Sequence, residues 1–172
     1  MPRKAIIGRE TRIDFVDDAI GVPAKIDTGA DSSAVWASDI HIDDTNRLCF
    51  KLFDETSPFY TGRTYHRRDY SVARVKSASG DVVLKFKTHL TIKIKEREIR
   101  VLFGLSNRST HTYPVLIGKR TLQGKFVVDV SKTENIHEPK KRPKVDKLNR
   151  KLAENPRDFY EKYYKKGTEL WK

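Results

Sequence analysis

The stretch AKIDTGADSSA, residues 24–34, places a carboxylate, Asp27, at the end of a mostly apolar run and follows it with small and hydroxyl-bearing residues. A carboxylate at the end of a core strand needs hydrogen-bond partners or a raised pKa. Thr28 offers a hydroxyl, and Gly29 permits close backbone approach. Two readings follow: a turn that closes a strand, or an acid held for proton transfer. Asp and Gly end many strands, so the tripeptide alone does not choose between them. Other chemistries lack their residues. Ser32 and Ser33 lie near Asp27, but no G-x-S-x-G surrounds them, and they read as turn hydroxyls. No G-x-x-x-x-G-K-[ST] is present, so Lys119 after Gly118 is not a nucleotide-binding lysine. The five histidines, His41, His66, His89, His111 and His137, are scattered, and no H-E-x-x-H occurs. A site built from Cys49 and His66 lacks the spacing of a known ligand set, so neither metal nor other cofactor is expected.

The elements that must position Asp27 read as β up to about Val130. Residues 6–7, 12–15 and 22–26 form short apolar runs bounded by Gly and Asp, and 47–53 offers another strand. Periodicity is lost over 54–70, which reads as a loop or insertion. Residues 71–87 alternate on either side of Ser79-Gly80-Asp81, where Gly80 can supply the positive φ of a tight hairpin. A second hairpin runs from 90–94 to 99–103 and turns at Glu96-Arg97. A last strand covers 125–130. From Lys132 the pattern changes to a charged, proline-containing linker. Val145, Leu148 and Leu152 then stand at helical spacing, and Asn155-Pro156 reads as an N-cap and first helical residue, with Gly167 as a closing glycine. The expected domains are therefore a β-domain over 1–131 and a basic linker with a helical tail over 132–172.

The order of these parts narrows the choice at Asp27. A strand into DTGA, a glycine-tipped hairpin, a second hairpin and then PVLIGKRTLQGKFVVDVS resembles the retropepsin-like aspartic peptidases. More narrowly, the chain is similar to a bacterial retropepsin-like family often labelled "ATP-dependent zinc protease", associated with ATP-grasp enzymes of the glutamate-ligase type. The resemblance covers roughly residues 5–131 and implies a closed, mainly antiparallel acid-protease β-barrel with the helical tail outside it. It implies an aspartic endopeptidase in which one carboxylate activates water and the other, protonated, polarises the scissile carbonyl. Two carboxylates about 3 Å apart cannot comfortably both ionise, so they share a proton. With a single D-T-G, the second Asp27 is expected from a second copy across a two-fold axis. By the same resemblance, Thr28 locks the two loops together, and Gly29, Ala30 and Asp31 meet the substrate backbone. Ser79 and Gly80 form a flap tip over the cleft, and Gly118 packs against the Asp27 loop. Asp31 and Lys119 stand where retroviral enzymes pair an acid with an arginine, and Arg120 stands where Asn or Asp is usual. Lysine lacks the bidentate fork of arginine, so this support departs from the family pattern.

Bulk properties set the limits. A chain of 172 residues suits one ordinary domain plus a tail. No apolar run approaches the roughly 20 residues of a membrane span, and no long apolar segment follows the basic start, so no secretory leader is expected. A lone cysteine suits a reducing cytoplasm. Net charge is +12, and residues 132–172 hold 13 Lys/Arg against 7 Asp/Glu. Such a tail favours an acidic protein or nucleic acid. The competing function is thus a non-enzymatic β-barrel binding module, with Asp27 as a turn residue and Phe159, Tyr160, Tyr163, Tyr164 and Trp171 stacking on bases. Packing of the tail helix onto the barrel through that aromatic face is the simpler account of those rings.

Overall fold

A computed structural model of the chain describes residues 4–76, 80, 82–136 and 143–165. It divides into two compact units, residues 1–136 and 137–172. The first is built from strands β1 (Ala5–Ile7), β2 (Glu10–Phe15), β3 (Val22–Asp27), β4 (Ser33–Ile42), β5 (Leu48–Leu52) and β6 (Thr64–Arg67). These are followed by β7 (Tyr70–Lys76), β8 (Val82–Ile94), β9 (Arg97–Ser106), β10 (Val115–Gly118), a single helical turn α1 (Lys119–Leu122) and β11 (Phe126–Val128).

Strands β10, β3, β2, β8, β9 and β4 are neighbours in that order, and β4 returns to pair with β10. The six form a ring whose inner side chains make the core. On β2, Ile13 and Phe15 are buried while Arg12 is exposed, as period-2 alternation requires. On β3 and β10, Val22, Ala24, Val115 and Ile117 are wholly buried. Each large side chain enclosed in this way contributes about 1.5–3 kcal/mol. Phe15, Phe53, Phe103 and Trp36 meet at ring separations of 6.0–6.1 Å and tie the ring to the segment after β5. The β2–β3, β2–β8 and β8–β9 pairs are antiparallel, whereas β3–β10 and β4–β9 are parallel. The mainly β expectation therefore stands, with parallel pairs on either side of the Asp27 turn.

Local structure departs from the sequence reading, or adds to it, at four places. The segment 54–70 is not all loop: Thr64–Arg67 forms β6 against β5, because Tyr65 buries itself in a stacked contact with Phe50 at 5.1 Å. Ser33–Ile42, which has apolar residues at only some positions, is the ten-residue strand β4. The β8–β9 turn falls at Lys95-Glu96, one residue earlier than expected, with Lys95 at φ 52°. Residues 132–136 are bound to β2 rather than lying free: Thr11 Oγ1 donates to Glu134 at 2.8 Å, and Arg12 N donates to it at 3.1 Å.

The second unit holds α2 (Pro143–Glu154), α3 (Pro156–Phe159) and one π-helical turn over Tyr160–Tyr164. Asn155 accepts from Asp158 N at 3.1 Å, the cap that its sequence implies. Phe159 lies against Tyr163 with ring centroids 4.9 Å apart and planes tilted by 37°, and Lys151 Nζ donates to the Tyr163 hydroxyl at 3.0 Å. Gly167 and Trp171 lie outside the described residues. Among the described residues, no helix is long and apolar enough to cross a membrane.

Candidate active site

Asp27 ends β3 beside the last residue of β10, with Asp27 opposite Gly118 in register. The chain then turns sharply. Gly29 N and Ala30 N both donate to Asp27 Oδ1, at 3.1 and 3.2 Å. Ala30 N also approaches the Asp27 carbonyl at 3.3 Å. One carboxylate oxygen is thus fixed by backbone, and the side chain keeps 28% of its surface exposed. The other oxygen faces Lys25 Nζ at 3.7 Å. Lys25 and Asp27 are two apart on a strand and so share a face, while Ala24 and Ile26 between and beside them are buried. Sequence reasoning passed over Lys25, although this i, i+2 relation was visible in it.

The turn is braced from β10 and α1. Lys119 N donates to the Ala30 carbonyl at 2.8 Å, and Arg120 N donates to the Asp31 carbonyl at 3.3 Å. Gly118 N donates to Ser33 Oγ at 3.0 Å, and Ser33 Oγ lies 2.8 Å from Thr121 Oγ1 in a buried contact. Gly118 has no room for a side chain: a Cβ there would stand 2.5 Å from the Ser32 carbonyl oxygen and 2.9 Å from that of Ala30. Lys119 Nζ meets Asp31 Oδ1 at 2.6 Å, and this partner holds the Asp31 carboxyl below its usual range. Both side chains are more than half exposed, so the pair is worth little as an isolated ion pair. Thr28 and Gly29 are exposed at the tip of the turn.

Gly80 lies between β7 and β8 at φ +89°, a conformation that glycine adopts freely. Ser79 is outside the described residues. Along this hairpin Val72, Val82, Val83 and Leu84 are 46–66% exposed, so its outer half presents apolar surface that its own chain does not cover. Between the hairpin and the segment after Asp27 lie two hollows that share Ser32, Ser33 and Lys87. Their volumes are ≈ 230 and ≈ 290 Å³. Arg74, Lys85, Arg100, Arg120 and Lys125 join Lys87 in the walls, and neither lining includes a carboxylate.

A match to a family model decides the classification. Residues 6–139 match the model described as RimB-like, retropepsin-like aspartic endopeptidase RimB. The chain belongs to the RimB-like family. The matched span includes Asp27, the β7–β8 hairpin and the Gly118 brace, so every family feature considered above lies inside it. Among solved structures, a protein of unknown function from Legionella pneumophila, Lpg0085, is similar in fold with a TM-score of 0.59 and 25% identity. That likeness covers 76% of this chain and 97% of the Legionella protein. No curated protein matches the chain significantly.

The fold also gathers residues that sequence spacing kept apart. Cys49 on β5 pairs directly opposite His66 on β6, and Asp43 reaches the same point from the turn before β5. Burial and the neighbouring Asp43 carboxylate push the Cys49 thiol above its ordinary pKa, which makes it a poor nucleophile. None of the three belongs to β3, β10 or the lining of the two hollows.

Proposed function

We propose that the protein is an aspartic endopeptidase that works as a homodimer, with Asp27 from each copy forming the catalytic pair. The observation that carries this reading is the Asp27 turn. Its carboxylate is held by two backbone N–H groups yet remains partly exposed, and Thr28 and Gly29 stand open at the tip. Backbone N–H groups hold turn carboxylates elsewhere in the chain, at Asp43, Asp54 and Asp129, so what supports the dyad is this arrangement inside the D-T-G-A motif, opposite Gly118 and within the span that matches the family. The six-strand ring supports the closed acid-protease barrel, and the exposed valines and leucine of the β7–β8 hairpin support a flap that gains cover from substrate or partner.

In the dimer, the two carboxylates share one proton. The ionised member takes a proton from water as that water attacks the scissile carbonyl. The protonated member polarises the carbonyl oxygen and then returns a proton to the leaving nitrogen. Gly29 N and Ala30 N hold the carboxylate plane during these exchanges, so little reorganisation is needed in the transition state. Neither hollow is lined by Asp27 itself, but both include Ser32 and Ser33 of the segment that follows it; a polypeptide that extends from Asp27 into them would meet cationic walls that favour an anionic stretch.

The test is cleavage of casein or an acidic peptide library between about pH 4 and 7 by the wild type and the Asp27→Asn variant. Asp27→Asn removes the acid–base pair and should lower kcat by at least about 10²–10⁴-fold, the usual worth of such catalysis. Unaltered cleavage by the variant removes the reading.

A further inference from the structure

The turn from Asp43 to Arg47 is unusually well fastened for an exposed hairpin end. Asp43 Oδ1 accepts from Thr45 N at 2.9 Å, Thr45 Oγ1 at 2.8 Å and Arg47 N at 3.0 Å. Arg47 Nε and Nη2 both reach Oδ2 at 2.9 Å. The carboxylate therefore cannot swing, and its Oδ2 is directed at Cys49 Sγ, 3.5 Å away. From the facing strand, His66 Nδ1 comes within 3.1 Å of the same sulfur and 3.9 Å of Asp43 Oδ2. Three potential ligand atoms of three chemical types thus form one small triangle.

Bonds of about 2.3 Å to sulfur and about 2.0–2.2 Å to nitrogen and oxygen, at tetrahedral angles, place ligand atoms roughly 3.3–3.6 Å apart. The sulfur–oxygen side, 3.5 Å, already fits, while the sulfur–nitrogen side of 3.1 Å must open and the nitrogen–oxygen side of 3.9 Å must close by about half an ångström, which a rotation of the half-exposed His66 ring can supply. We propose that Asp43, Cys49 and His66 form a binding site for a thiophilic divalent cation of the zinc type, with water at the fourth position. Sulfur and imidazole ligands favour such an ion over magnesium or calcium, which prefer oxygen. On binding, the metal–sulfur bond forms as the thiol gives its proton to solvent. The thiolate and the carboxylate then cancel the double charge. Arg47 stays on the carboxylate as the group that orients a ligand. Its positive charge beside the ion limits affinity without blocking the open side near His66, whose side chain is 47% exposed. The bound ion would clamp β5, β6 and the 43–47 turn together. No step of the proposed hydrolysis passes through it.

The experiment uses the full chain, stripped of metal and kept reduced. Cobalt(II) is added and followed by optical absorption, and zinc is added and followed by calorimetry and thermal melting. The expected result is one ion per chain, a thiolate-to-cobalt charge-transfer band with a tetrahedral ligand-field band, and a higher melting temperature with zinc. Cys49→Ala should remove the charge-transfer band, and His66→Gln should weaken zinc binding by more than about 10-fold. The half-exposed His66 keeps the test informative if the buried Cys49 variant folds poorly. Asp27→Asn should bind zinc as the wild type does, which separates this site from the hydrolytic one. Absence of the thiolate band, or zinc affinity unchanged in His66→Gln, would show a thiol–imidazole hydrogen bond and nothing more.

Discussion

At Gly118 a missing side chain does the work. Its Cα faces the carbonyls of Ala30 and Ser32 so closely that even a methyl group would collide with backbone, which yields less readily than a flexible side chain. Gly118→Ala should therefore cost about 1–3 kcal/mol, the usual penalty of overpacking, read as a lower denaturant midpoint. It should also displace the Asp27 turn and lower activity beyond what partial unfolding explains. A variant as stable and active as wild type would mean that the turn tolerates another position. The neighbouring Lys119–Asp31 pair is exposed and carries no comparable expectation. Lys25 adds a feature outside the expected motif, a cation 3.7 Å from the free oxygen of Asp27.

The elements around the turn owe part of their register to a buried acid. Glu10, 6% exposed at the start of β2, accepts hydrogen bonds from the Tyr113 hydroxyl, from Thr133 Oγ1 at 2.5 Å and from Ile136 N at 3.0 Å. It thereby joins β2, the segment leading into β10 and residues 132–136. Burial first, and the Glu10 carboxylate second, push the Tyr113 hydroxyl up to about 12 from an ordinary 10.0. The folded pKa is raised, so the folded state holds its proton more tightly than the unfolded chain. Stability from this contact is complete below pH 10.0 and is lost as pH rises toward about 12. Tyr113→Phe should be less stable than wild type at neutral pH by about 1 kcal/mol, the typical net worth of a hydrogen bond. The gap should close in that alkaline window. Denaturant midpoints at neutral and alkaline pH measure it; a constant gap would place the loss elsewhere.

For the whole molecule, the proposed activity requires two copies. The β1–β11 ribbon pairs Ile6 with Val127, and these side chains are 53% and 49% exposed. Among the described residues, nothing pairs with the outer edge of either strand, and such an apolar ribbon is suited to bury itself against a second copy. Ile6→Asp should shift the protein from dimer toward monomer in light scattering, and activity should fall with the dimer fraction. Full activity in a strictly monomeric variant would contradict the proposed dyad. The same expectation requires the two Asp27 side chains to approach within about 6 Å in the assembled dimer, since more distant carboxylates do not share a proton.

Local chemistry made much of this legible from the chain alone. The alternation of β2, the glycine between β7 and β8, and the Asn155 cap are set by neighbours within a few residues, where propensity and periodicity act directly. The family motif placed Asp27 and Gly118 in advance, because an acid followed by small residues and a late apolar–glycine segment are linear patterns. Other features depended on residues far apart in sequence. β6 became a strand by pairing with β5, where Tyr65 stacks on Phe50, and Glu10 acquired partners more than a hundred residues away. His66, Cys49 and Asp43 look unrelated in a linear reading, since they come from two strands and a turn; antiparallel pairing puts their ligand atoms within 4.8 Å of one another. Covalent order therefore marked the Gly80 turn, the Asn155 cap and the candidate acid, while long-range strand pairing shifted the β8–β9 turn and decided which side chains met, because only burial against distant partners fixes that choice.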